Sequence, residues 1–542
     1  MPPKESVDLV IEPRWVLPIA PVNTVLGDYA VAVSAGRIVA LAPVAEINAR
    51  FEPRERVVRA DHALLPGFVN AHTRAATTLL RGLRVYGPRR HWMQETVVPV
   101  ARSCMSPDFV REGTQLAVAE MLRAGITAFA DMYLFPEEAA RVASAARIRA
   151  AIGLPVTDGP TAWAESATGH LAKAEQLWDE YQSNPWVSLY FAPHDAFGES
   201  DQTLARVRRV ADELDARVAM YLAPGEVQNH AGDRSPLVRL QELGLLGPGF
   251  TAVHLAGADR EELEIAASTG ICVVACQQSH LRFDAALCPI GDLEARGVTV
   301  GLGTDSPVSV GALDVLSEAR VGALVAGLVS RVSAAGGPAG IGRTGDLWGV
   351  AAGAVGHVGM HGDAGVNVRG DAREAGVRDG SGVWGAGVGS RGDAGGLGGA
   401  GTSVRGDASG VARGRAGAHG DVSGPRAADN EGASGDAMAL GALRRATLGG
   451  ATALGLSAVA GSIEVGKAAD LVCFNLSALS CQPNTQRPAD AIVFGATRNH
   501  VSDVWTSGRA AVSDGHLLTF DEQELLALSH RWAARLPTRG GS

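Results

Sequence analysis

Between residues 65 and 304 short apolar runs rich in Val, Ile and Ala alternate with stretches patterned as amphipathic helices. The runs fall near 65–71, 126–132, 148–153, 187–192, 217–222, 251–255, 271–275 and 298–304. A helix between each pair of strands carries the chain back to the starting end, so the strands must be parallel. Eight such units predict an α/β fold, a (β/α)8 TIM barrel. Local chemistry agrees with the helical stretches. Ser106-Pro107-Asp108 offers an N-cap followed by proline at the first helical position, Val110, Val118, Met121 and Leu122 form an apolar stripe, and Gly125 stops it.

The flanks read differently. Asp8 to Glu12, and Tyr29 to Pro43 with Gly36 at a hairpin tip, alternate apolar and polar residues as short antiparallel strands do, and 461–472 and 504–515 alternate in the same way. The two ends are therefore expected to pair into one small β domain. From about 333 to 435 large apolar residues nearly vanish in favour of Gly, Ala, Asp, Arg and Val. Such a stretch cannot bury enough surface to offset its ordering entropy, and its Gly-Asp-Ala tripeptides lack a fixed period, so it is expected to be a disordered insertion. It follows the apolar helix 312–328, which runs away from the active face, so it is expected to emerge on the opposite side. The resulting division is 1–63 as the first part of the β domain, 64–332 as the barrel, 333–435 as the insertion, 436–460 as the end of the barrel, 461–520 as the second part of the β domain, and 521–542 as a C-terminal helix and tail.

Composition excludes several functions. A net charge of −10 over 542 residues, with no basic block, leaves no electrostatic footprint for nucleic acid or an anionic membrane surface, and favours a small-molecule substrate. No apolar run reaches the length of a membrane span and the first residues lack a basic-then-apolar leader pattern, so a cytoplasmic protein is expected. The six cysteines show no metal-type CxxC pairs and read as reduced, mostly buried thiols; Cys272 and Cys276 fall on one face of a strand.

Four polar residues stand at the carboxyl ends of predicted strands: His72, His194, His254 and Asp305. A lone histidine is usually a satisfied core or surface group, but several meeting at one barrel rim point to a site. The run Leu64 to Arg74 closely resembles the first-strand signature of the amidohydrolase superfamily, within it the branch of methylthioadenosine/S-adenosylhomocysteine deaminases and triazine-type chlorohydrolases. Gly303-Thr304-Asp305-Ser306 resembles that family's eighth-strand motif, 439–447 its segment after the barrel, and the two flanks its composite β-sandwich. The resemblance implies one divalent metal, zinc or iron, with His72 and Asp305 as ligands and Asp305 also as general base. It further implies that His254 polarises the substrate or steadies the tetrahedral intermediate, and that His194 contacts the substrate.

The departures from the family pattern fall on the metal site. Arg74 stands where the family has its second histidine, Tyr221 where it has its third, and Pro224 where it has a proton-shuttling glutamate. Arginine has no lone pair to give, and tyrosine binds a metal only as phenolate. Glu226 and His280 are two groups that would compensate by reaching the site, and each also reads as a solvated loop residue. A third arrangement, an ion pair between Arg74 and Asp305 across an empty site, is the one expected in the structure. Two functions follow: a metal-dependent aminohydrolase acting on a purine nucleoside or related heteroaromatic ring, with impaired activity, or a silent homologue without metal that serves as a binding or assembly partner in a homo- or hetero-oligomer.

Overall fold

The structure is a computed structural model that describes residues 3–83, 89–194, 196–222, 235–283, 286–334, 430–483 and 486–536. Pro224, Glu226 and residues 335–429 of the expected insertion lie outside the described residues. The N-terminal strands are β1 (Glu5–Val16), β2 (Leu26–Gly27), β3 (Tyr29–Ser34), β4 (Arg37–Pro43) and β5 (Phe51–Pro66). The barrel strands are β6 (Phe68–Thr73), β7 (Ile126–Asp131), β8 (Arg149–Val156), β9 (Val187–Pro193), β10 (Arg217–Leu222), β11 (Phe250–His254), β12 (Cys272–Ala275) and β13 (Thr299–Leu302). They pair in sequence order, every rung parallel, as the strand–helix alternation requires.

The last strands, β14 (Leu471–Asn475), β15 (Val501–Thr506), β16 (Arg509–Ser513) and β17 (His516–Leu517), join the N-terminal ones in a nine-stranded sheet. Both chain ends meet where β14 lies antiparallel to β5, with Leu471 opposite Pro66 and Cys473 opposite Leu64. The β3–β4 hairpin turns at Ala35-Gly36 as its sequence predicts. The alternation over 461–470 does not become a strand. Gly461 and Gly466 adopt φ of 90° and 94°, turning the chain, and only Ala468 forms an isolated bridge, to Arg37. The helix Pro107–Arg123 starts where expected: the Ser106 side chain accepts the Phe109 N–H, and Gly125 at φ 80° follows its end. All six cysteines are free, five of them buried. No described helix is long and apolar enough to cross a membrane.

The seam between β13 and β6 is closed by a few specific contacts instead of a ladder. Asn70 donates from Nδ2 to Thr304 Oγ1 at 2.8 Å and accepts the Thr304 N–H at 3.0 Å, while the Asp305 N–H donates to the His72 carbonyl at 3.1 Å. The strands come so close because Gly303 has no side chain: a Cβ there would lie 2.7 Å from His72 Cβ. At the other end of the seam the helix Gly450–Ala453 packs into the gap, with Gly450 against Val69 and Gly301.

Gly303→Ala should therefore open the seam and cost about 1–3 kcal/mol of stability, the range for overpacking a tight site. Gly247→Ala, whose added Cβ would meet nothing within 4 Å, should stay within about 0.5 kcal/mol. Urea unfolding of both variants checks the pair, and equal costs would show that the seam is not held by this close approach.

Candidate active site

Chain direction at the carboxyl ends of β6, β11 and β13 brings three sequence-predicted residues together. His254 and Asp305 hold left-handed backbone, φ 75° and 56°, which costs energy in residues with a Cβ and turns each side chain off its strand. The Asp305 turn is fixed by its N–H on His72 and by the Thr73 hydroxyl donating to its carbonyl at 3.1 Å. One ligand-type atom from each of His72, His254 and Asp305 lies within 4.8 Å of the other two. His72 Nε2, His254 Nε2 and Asp305 Oδ1 are all buried and have no hydrogen-bond partner. Three unpartnered donors converging in a buried place carry a large desolvation cost unless something binds them. Two imidazole nitrogens and a carboxylate oxygen make a donor set suited to a divalent metal with an open position.

The expected pair between Arg74 and Asp305 is not formed; Arg89 takes that place. Its Nη2 lies 3.1 Å from Asp305 Oδ2, and Ser279 Oγ–H donates to the same oxygen at 2.7 Å, leaving Oδ1 to the centre. Arg89 arrives from the short helix Arg89–Trp92, with its guanidinium 5.2 Å from the Tyr221 ring centroid and 5.7 Å from that of Phe283. Arg74, which leads directly into the tight turn Ala75–Leu80, lines the cavity together with Arg89, and its guanidinium lies 6.0 Å from the same Tyr221 ring. Sequence reasoning missed Arg89 because it belongs to no strand-end motif; its neighbour Trp92, a fully buried side chain, was the available sign that this stretch turns inward.

His280 does not join the three donors. Its Nε2 lies 2.9 Å from His254 Nδ1, so it orients His254 from behind, as an outer partner of a ligand does. Tyr221 packs edge-on to His254, with ring centroids 4.3 Å apart. His194 is exposed and stands on the wall of a cavity of about 630 Å³ that also includes Arg74, Arg89, Ser306 and Ser309. The site residues expected from the sequence thus divide: His72, His254 and Asp305 converge, and His194 is at the mouth.

Electrostatics follow from burial. Burial would raise the Asp305 carboxyl, but Arg89 and the other groups around it hold it well below the usual carboxylate range. Burial lowers His72, pushes His254 well down, and takes His280 to about 3, with Arg89 acting in the same direction. The three imidazoles are neutral at pH 7, the state that has a lone pair to give. Asp131, beside the first strand, is pushed up to about 7 by burial, against the Ala75 N–H on its Oδ1 and the charge of Arg74.

Fold and site together define a class: a (β/α)8 barrel with a histidine–aspartate centre at its carboxyl rim. The chain belongs to the amidohydrolase family, which it matches over residues 63–339 and 421–511. It is 29% identical over 538 residues to a 5-methylthioadenosine/S-adenosylhomocysteine deaminase of Teredinibacter turnerae, covering 98% of each chain. It is 33% identical over 323 residues to the protein of that name from Thermodesulfovibrio yellowstonii, covering 58% of this chain and 73% of the relative. Among solved structures, an adenosine deaminase from Xanthomonas campestris with bound zinc superposes with a TM-score of 0.76 at 32% identity, over 98% of this chain and 99% of that one. An atrazine chlorohydrolase from Arthrobacter aurescens shares the fold at 18% identity and a TM-score of 0.70, over 97% and 99%.

The neutral state of His280 has a measurable consequence. Its unfolded form titrates near 6.5 and its folded form near 3, so the folded chain takes up fewer protons and this contribution to stability is lost as pH falls from 6.5 towards 3. In metal-stripped protein, His280→Asn should make the dependence of unfolding free energy on pH shallower in that window by up to about 1.4 kcal/mol per pH unit. Denaturant titrations at several pH values read the slope; an unchanged slope would mean that His280 is protonated in the folded chain.

Proposed function

We propose that the chain is an aminohydrolase that removes ammonia from a purine nucleoside or related heteroaromatic ring, with one divalent metal, zinc or iron, held by His72, His254 and Asp305. The observation that carries this is the convergence of three buried, unpartnered donor atoms beside a substrate-sized cavity, whose wall includes Ser306 and the Arg89 that pairs with Asp305. The deaminase names of the relatives and the zinc in the Xanthomonas structure support the same reading. When bound, such a cation supplies an activated water at neutral pH.

The chain's own groups do the rest. Asp305 is the proton acceptor nearest the centre, and its Oδ2 is locked by Arg89 and Ser279 while Oδ1 remains open. His254, held from behind by His280, faces the reacting position, and His194 meets the substrate at the cavity wall. Arg89 makes Asp305 a weak base, so turnover is expected to be slow. The same contact favours a second reading, a silent homologue in which the guanidinium has replaced the metal as the counter-ion of Asp305.

Metal analysis of the purified full chain separates the two. About one zinc or iron per chain, lost in His254→Ala, together with ammonia release from adenosine or methylthioadenosine, upholds the aminohydrolase. A metal-free chain that releases no ammonia after loading upholds the silent homologue. Because Arg89 places a positive charge beside the centre, Arg89→Gln should raise zinc affinity by about tenfold or more, measured against a competing chelator. Unchanged or weaker affinity would show that Arg89 positions the carboxylate without opposing the ion.

A further inference from the structure

We propose that the cavity beside the His72–Asp305 centre, walled by Arg74, Arg89 and Ser306, is a receptor for a small organic anion, and that Arg74 takes its charged end. This rests on the reading above for the location of the site and adds the charge class of its ligand.

The cavity wall, among the described residues, carries Arg74, Arg89, Arg102 and His194 and no carboxylate. In a chain of net charge −10 three guanidiniums on one wall do not follow from composition. Arg89 is matched by Asp305. Arg74 has no such match: among the described residues it forms no ion pair, and its Nε is buried without a hydrogen-bond partner. Asp131 lies within the reach of its field but is not part of the wall and gives Oδ1 to the Ala75 N–H at 2.7 Å. The Tyr221 ring, 6.0 Å away, is at the outer limit of a cation–π contact.

A buried guanidinium donor left without an acceptor is costly, and the strongest partner for its planar fork is a carboxylate or phosphate. The wall also has an apolar part, with Met93, Met105, Met132 and Val308, beside the neutral hydroxyls of Thr77, Ser306 and Ser309. A volume of about 630 Å³ exceeds what an inorganic ion needs. The matching ligand is therefore amphipathic, with a ring or chain against the methionines and an anionic group on Arg74. Arg102, at the exposed part of the wall, adds to the field that draws it in.

The test is direct binding to the chelator-treated full chain, so that no metal ion takes part. Benzoate and phenyl phosphate are the anionic probes, and benzamide is the neutral isostere. At least one anion should bind about tenfold or more tighter than benzamide by calorimetry, as expected for charge-assisted hydrogen bonds. Arg74→Gln should abolish the preference and Arg74→Lys should keep part of it, both with an unchanged circular dichroism spectrum. Preference for benzoate alone or phenyl phosphate alone assigns the anion as carboxylate or phosphate. Equal binding of benzamide, a preference that survives in Arg74→Gln, or no binding of any probe overturns the proposal. Because no turnover is measured, a silent barrel passes this test as readily as an active one, and an active enzyme for neutral substrates fails it.

Discussion

A carboxylate sealed inside a barrel has to be met by positive charge or by a proton, and Asp305 is such a carboxylate. It is fully buried, and the Arg89 guanidinium together with the Ser279 hydroxyl holds one of its oxygens. Removing one partner of a buried ion pair typically costs about 3–5 kcal/mol, because the other is left uncompensated. The backbone of the same residue closes the barrel through His72 and Thr73. Fold closure and site charge therefore depend on one position, and the left-handed strain at Asp305 is the conformation that serves both.

The charge arrangement around that position explains the state of its neighbours. Arg89 and burial together disfavour a second cation, so His72, His254 and His280 stay neutral and keep lone pairs. A centre of neutral imidazoles and one carboxylate is prepared for a cation, while the nearby guanidinium opposes one. Two functions that appear exclusive from a count of ligands thus come from one geometry, differing in whether the resident or an incoming positive charge dominates the field at Asp305.

Much of the barrel was legible in the sequence, because period-two and period-3.6 patterns and the turn residues are local. The rim positions of His72, His254 and Asp305 followed from strand ends alone. How tightly they converge did not: it depends on how closely β13 approaches β6, which Gly303 and the Asn70–Thr304 clamp decide across more than two hundred residues. The donor set therefore contains His254 in addition to the two ligands expected. The Arg74 expectation failed for a related reason. Arg74 stands two residues after His72 and lines the cavity beside the site, but a guanidinium from another segment, Arg89, pairs with the carboxylate. The alternation over 461–470 misled because left-handed glycines within it break the strand that its pattern describes.

One hydrogen bond records which positive charge has won. His254 Nδ1 and His280 Nε2 are 2.9 Å apart and both rings are neutral, so only one of the two nitrogens carries the proton between them. If His254 donates, its Nε2 presents a lone pair to the centre, which a cation there would stabilise. If His280 donates, His254 Nε2 carries a proton facing the carboxylate of Asp305, the arrangement that suits a centre without a cation. The unpartnered His280 Nδ1 carries the proton in the first case and a lone pair in the second, so a ring outside the donor set changes tautomer with the occupancy of the centre. Its role follows from this coupling: His280 does not reach the ion position, yet it fixes whether His254 acts there as a ligand or as a hydrogen-bond donor.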